Sequence, residues 1–157
     1  MTPVRTLAAM LALAGLAGAA HAQPAATPTP PIRAQALVEQ ALARHPDLKI
    51  IAFHVTPPGG VDNVIIASNI GRFGKKADAD DMAVLSSGKP RAEVTRTGYS
   101  VELPLRDAAG RTLGVVGETF AYQPGDDTGA IEGKAEALRD ELAAEIPDHA
   151  WLFAPRR

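Results

Sequence analysis

The sequence predicts an α+β fold, five strands with a helix toward each end of the chain, and three patterns predict it. Two runs of strand-forming residues, Lys49 to Val55 and Asn63 to Ser68, follow an amphipathic segment. Tyr99, Val101, Leu103 and Leu105 alternate with Ser100, Glu102, Pro104 and Arg106, the period of a half-buried strand. Ile131, Ala135, Leu138, Leu142 and Ile146 recur at helical spacing near the C-terminus.

The elements follow in order. Leu37, Val38, Ala41 and Leu42 predict a short helix over Ala34 to Arg44, stopped by His45-Pro46-Asp47 because the residue before proline resists the α region. Lys49 to Val55 is the first strand, broken by Pro57-Pro58-Gly59-Gly60, and Asn63 to Ser68 is the second. Their short connection predicts antiparallel pairing. A glycine-punctuated basic loop, Asn69 to Lys76, leads to a small helix over Asp78 to Ser86, with acids in its first turn and Gly88-Lys89-Pro90 at its end. A meander follows, with strands at Arg91 to Thr95, Tyr99 to Arg106 and Thr112 to Tyr122. Pro104 cannot donate to a ladder and belongs at a bulge, a strand end or an outward-looking stretch, while Gly114 and Gly117 predict close approach by other groups. The last long helix spans Ala130 to Ile146 and stops at Pro147, and the apolar tail Trp151-Leu152-Phe153 either folds back onto the sheet or is offered to a partner.

Residues 1–22 read as a cleaved signal peptide. Arg5 supplies the positive end, Leu7 to Ala20 the apolar run and Ala20-His21-Ala22 the cleavage site, so cleavage is expected before Gln23 and a periplasmic or secreted location with it. Residues 23–31, QPAATPTPP, are expected to form an extended or disordered leader, and residues 32–153 one domain. Sixteen Lys and Arg stand against eighteen Asp and Glu; loss of Arg5 with the signal leaves a formal charge of −3, which gives no reason to expect nucleic acid or an anionic membrane as partner, and no later segment has the roughly 18 consecutive apolar residues that membrane insertion needs. With no cysteine, the chain has neither disulfides nor thiol chemistry.

From Val64 to Tyr122 the chain resembles the Cache domains, PAS-like extracytoplasmic sensors. The likeness lies in Val64-Ile65-Ile66-Ala67-Ser68-Asn69, then Ile70-Gly71-Arg72-Phe73-Gly74-Lys75, then Ser87-Gly88-Lys89-Pro90, and in the hairpin Val101 to Val115 with its Leu103-Pro104-Leu105-Arg106-Asp107 and Gly110. The resemblance implies a five-stranded antiparallel sheet with the N-terminal and C-terminal helices packed on it. It also implies a small-ligand pocket between one sheet face and the loop and helix after the second strand. Family members usually lie between two membrane spans; without a second span or an output domain, signalling here would need a separate membrane-receptor or sensor partner.

Candidate ligand residues follow from charge and turn chemistry. Gly71 and Gly74 permit a tight turn that displays Arg72, Lys75 and Lys76 beside Ser68 and Asn69, a setting for a carboxylate or other small anion; the alternative is a solvated loop whose cations pair weakly with Asp78, Asp80 and Asp81. Glu118, midway along a central strand, is neutralised by Arg72 or Arg96, or holds a ligand's amine, or faces solvent at an edge. Tyr99 and Tyr122 stack on a ligand or pack in the core. Asp78, Asp80 and Asp81 lack the glycine and closing Glu of a calcium loop, and His45, His54 and His149 have no metal-ligand spacing. No G-x-S-x-G elbow or phosphate fingerprint is present, so neither a cofactor nor an enzymatic activity is expected. The reading is a module that binds or senses a small molecule such as a carboxylate or an amino acid. The alternative is an interaction protein that docks onto a receptor or secreted partner. A pocket lined by Arg72, Glu118 and the tyrosines supports the first, and a filled core beside an exposed apolar patch supports the second.

Overall fold

The computed structural model describes residues 29–156; the expected signal peptide, its cleavage site and the leader up to residue 28 lie outside them. In chain order the elements are α1 (Arg33–Arg44), β1 (Leu48–Val55), β2 (Val64–Ser68), α2 (Ala79–Ser87), β3 (Arg91–Val94), β4 (Tyr99–Arg106), β5 (Thr112–Phe120), α3 (Thr128–Glu145) and α4 (His149–Phe153). The strands form one antiparallel sheet in the order β2-β1-β5-β4-β3. The α+β class and the five-stranded antiparallel sheet are as the sequence predicts. Three pairings join neighbouring strands of the chain, whereas β1 and β5 meet across the whole intervening sequence and put the most apolar strands at the centre.

Strand alternation divides the sheet into two unlike faces. Ile51, Phe53 and Val55 of β1, Val101, Leu103 and Leu105 of β4, and Val116 and Phe120 of β5 are buried together against helix residues such as Leu37, Leu138, Leu142 and Leu152. The opposite face carries Ala52 and His54, Val115, Gly117 and Thr119, and Ser100, Glu102 and Pro104. Of the described helices, α2 alone packs there.

Local chemistry explains the element ends. Asp78 caps α2 by accepting from the amides of Asp80 and Asp81, and Asp81 returns the favour to the Asp78 amide at 3.0 Å, a complete capping box. Asp127 caps α3 through the Ala130 amide, which starts that helix two residues before the predicted Ala130. β5 ends at Phe120 rather than Tyr122 because the Ala121 amide donates instead to Asp47 O, at 2.8 Å. The Trp151 tail folds back into α4 beside α1, with Leu152 fully buried in the core cluster and the Arg33 guanidinium 5.1 Å from the Trp151 ring centre. Pro104 lies beyond the end of β3, where β4 has only β5 as a neighbour.

The two glycines of β5 differ. A Cβ at Gly114 would sit 2.1 Å from the His54 carbonyl oxygen, the close approach expected; at Gly117 it would meet nothing within 4 Å, so that glycine marks space rather than contact.

Glu118 is the anomaly of the core. It lies between Ile51 and Val101 on the helix-covered face, is 0% exposed, and neither carboxylate oxygen has a hydrogen-bond partner among the described residues. The solvated and paired readings of this residue are both overturned, because its strand is central and its face is sealed. Burial pushes its carboxyl well above the usual range, Arg139 offsets this in part, and Glu141 adds to it.

Two outcomes follow. Gly114→Ala lowers stability by about 1–3 kcal/mol in urea unfolding through overpacking, whereas Gly117→Ala leaves it unchanged or raises it by about 0.5 kcal/mol by stiffening the unfolded chain. Because the folded protein holds the Glu118 proton more tightly than the unfolded chain, that group's stabilising effect is full below the unfolded-state value and disappears as pH rises through the folded one. Glu118→Gln, which cannot ionise, therefore gains on the native protein by up to roughly 1.4 kcal/mol per pH unit through that window. The gain is absent at acid pH, and unfolding curves at several pH values read it directly.

Candidate functional site

The thinly covered face is built from the loop inward. After β2 the chain doubles back along that strand's outer edge: Ile65 N donates to Lys75 O and Gly74 N to Ile65 O, both at 2.9 Å, and Ala77 N donates to Asn63 O at 2.8 Å. Gly71, Arg72 and Gly74 all take left-handed backbone, with φ of 69°, 62° and 80°, which makes the reversal possible. It closes the open edge of β2 and delivers the capped start of α2 onto the sheet.

There Asp81 meets His54. The His54 Nδ1 atom stands 2.7 Å from Asp81 Oδ2, with both side chains mostly buried, although the ring N–H is not aimed along that line. Burial alone would raise the Asp81 carboxyl; contact with His54, the Asp78 amide and the charge of Lys75 together hold it below its ordinary value. Across the sheet, Glu102 responds in the opposite sense. Half-buried, and facing the charges of Asp81, Asp78 and Asp80, its carboxyl is pushed up to about 7. Its Oε2 is buried with no hydrogen-bond partner, and the same holds for Arg106 Nε, on the same face by the alternation of β4, and for Asn63 Oδ1 near the loop.

The register places Ala52, Gly117 and Glu102 in one row across β1, β5 and β4. Two minimal side chains therefore adjoin a carboxyl, and the bare Gly117 leaves a depression floored by backbone. Around it stand groups of both signs: Asp81 and Glu102, with His54 and, in register with Glu102 on β3, Arg91. Such an arrangement can hold a polar molecule by replacing the water that these atoms otherwise require.

The predicted site residues are dispersed over three places. Ser68, Asn69 and Arg72 line a groove of about 530 Å³ between α1 and the loop. Ser68 Oγ donates to Gly71 O, and Asn69 bridges β1 by accepting from Ile51 N at 3.0 Å and donating to Lys49 O at 2.8 Å, so both residues hold the turn in shape. Lys75 is exposed on the loop, and its charge acts on Asp81 without an ion pair between them. Tyr99 lies on the helix-covered face, packs 5.7 Å from Tyr122, donates to Glu132 Oε1 at 2.6 Å and lines a cleft of about 300 Å³ with Arg91 and Glu136. Glu118 lines neither cavity. The expected hollow joining Arg72 to Glu118 is not formed, because the sheet alternation turns Glu118 inward under the helices while the loop carries an exposed Arg72 at the sheet margin.

His54, Asp81, Glu102 and Gly117 did not stand out in the sequence as one group. The capping pattern Asp78-x-x-Asp81 was a local signal, and the polar alternation of β4 another; the register that unites them is long-range.

No protein-family model matches the chain, and no curated protein matches it. Several solved structures are similar. A type II free methionine-R-sulfoxide reductase from Thermoplasma acidophilum is 15% identical over 71% of this chain and 87% of that one, with a TM-score of 0.47. A GAF sensor protein from Burkholderia vietnamiensis is 15% identical over 74% and 76%, with a TM-score of 0.48. The GAF domain region of a membrane protein from Geobacter sulfurreducens is 11% identical over 69% and 87%, with a TM-score of 0.49. Two of these three are GAF domains, a PAS-like fold.

Proposed function

We propose that the protein is a module of the periplasm or secreted space that binds and senses a small polar molecule, seated over Gly117 on the sheet face beneath α2. One observation carries this reading: a buried, unpartnered carboxyl oxygen of Glu102 directly opposite a glycine over which nothing lies within 4 Å. A buried acceptor without a donor costs about 1–3 kcal/mol, and a ligand that supplies the donor removes that cost. The chemistry of the rim favours a molecule with an amine for Glu102 and Asp81 and an acceptor for His54, as an amino acid has.

The reading is tested by a thermal-shift screen of the purified protein against amino acids, amines, carboxylates and purines, since a native-state binder raises the melting temperature by mass action. Gly117→Leu fills the depression and is expected to abolish the shift while the protein stays folded. With the Glu102 carboxyl near 7, an amine-bearing ligand binds about tenfold more tightly at pH 8 than at pH 6, because the ionised fraction rises about tenfold across that span. Glu102→Gln removes that dependence. An amino-acid or amine shift that survives Gly117→Leu, or no shift with either class, overturns the proposal and turns attention to docking onto a protein partner.

A further inference from the structure

The groove between α1 and the loop after β2 is separate from the Gly117 depression and has its own character. Of its polar side chains, Gln35, Glu39, Ser68 and Asn69 are already engaged, while Arg72 and Thr29 have no side-chain partner among the described residues. Gln35, buried on α1, donates to Ser68 O at 3.2 Å and accepts from Ser68 N at 3.0 Å. Asn69 is bound to β1, and Ser68 to Gly71. Glu39, whose charge would repel an anion, is neutralised: Arg156 Nη1 lies 2.8 Å from each of its carboxylate oxygens. Among the loop cations, Lys76 is paired with Asp62 at 2.8 Å, whereas Lys75 and Arg72 make no ion pair among the described residues, and of these two Arg72 lines the groove.

Arg72 is also the one described non-glycine residue with positive φ, at 62°, in a turn whose Gly71 and Gly74 take the same conformation without steric cost. The turn that carries it is pinned from both sides, so the guanidinium root is fixed in place. Beside it, Leu42, Ile70 and Phe73 give the groove an apolar wall, with Ile70 40% exposed.

We propose that this groove is a second ligand site, which takes an amphipathic monocarboxylate: Arg72 binds the carboxylate in its planar fork, and Leu42, Ile70 and Phe73 receive the apolar body. The volume of about 530 Å³ suits a small molecule of this kind. The inference is independent of the site over Gly117.

Titration calorimetry of the purified protein with octanoate, 1-octanol and acetate tests it. Octanoate is expected to bind with one-to-one stoichiometry, roughly tenfold or more above either control, since 1-octanol lacks the charge and acetate the body. Arg72→Gly suits the positive φ and keeps the turn, so loss of octanoate binding in that variant reports the missing guanidinium rather than a misfolded loop; Arg72→Lys retains part of the affinity. Phe73→Ala weakens octanoate and leaves acetate unchanged. Glu102→Gln and Gly117→Leu leave octanoate binding intact, which separates this site from the first. Equal binding of octanoate and 1-octanol, unchanged affinity in Arg72→Gly, or no binding of octanoate overturns the proposal. Because Thr29 also lines the groove, a synthetic peptide of residues 23–31 is titrated as well; if it binds and displaces octanoate, the groove belongs to the chain's own leader and the proposal is likewise overturned.

Discussion

A five-stranded sheet has two faces to shield, and the described helices shield them unequally. α1, α3 and α4 gather on one side, where their apolar stripes close over Phe53, Leu103, Leu105, Val116 and Phe120. The other side receives nine residues of α2, fastened to the central strand β1 by the contact of Asp81 with His54. That contact governs the polar face: it fixes where the acidic start of α2 lies, and so which charges Glu102 faces. Asp81 has two tasks, since the same carboxylate that meets His54 completes the capping box with Asp78. Helix start and sheet docking are thereby fixed by one side chain, and neither can shift without the other.

The loop before α2 is as firmly specified as the helix. Three left-handed residues reverse the chain, and the returning backbone covers the outer edge of β2, which would otherwise present unpaired amides and carbonyls. Ser68, Asn69 and Gln35, read from sequence as ligand groups or not singled out at all, are spent on this construction. The consequence is a basic turn that displays Arg72 without an ion pair among the described residues. Polar residues of a loop thus divide into those that build it and those it displays, and here the division falls between Asn69 and Arg72.

Much of the fold was legible because it rests on local rules. The alternation of Tyr99 to Arg106, the helical spacing of Ile131 to Ile146 and the breakers at Pro57 and Pro147 each report a period or a forbidden backbone, and the observed elements follow them. The candidate site was less legible, since it depends on which face a strand residue takes and on what lies opposite. Glu118 and Gly117 are neighbours in sequence; one points into the sealed core and the other toward the polar depression, and only the pairing with β1 and β4 decides which. Arg72 and Glu118 looked like partners by charge, but the direction of β5 separates them. Gly114 and Gly117 carried one sequence signal and proved opposite in meaning, because a glycine can accommodate a close neighbour or leave a gap.

Glu102 and Glu118 show how one residue type acquires two roles on one sheet. Both carboxyls are raised by burial, and both leave an oxygen without a partner. Glu118 is enclosed on every side, so the event that can meet its need for a donor or for water is the opening of the fold, and its proton is linked to stability. Glu102 stands beside an open glycine and is only half-buried, so a molecule entering over Gly117 can meet the same need with the fold intact. Its proton is then linked to binding. The difference between a structural liability and a recognition element is whether a path from solvent reaches the orphaned atom: the helices close over Glu118 between Val101 and Ile51, whereas Glu102 adjoins the open Gly117 on the other face.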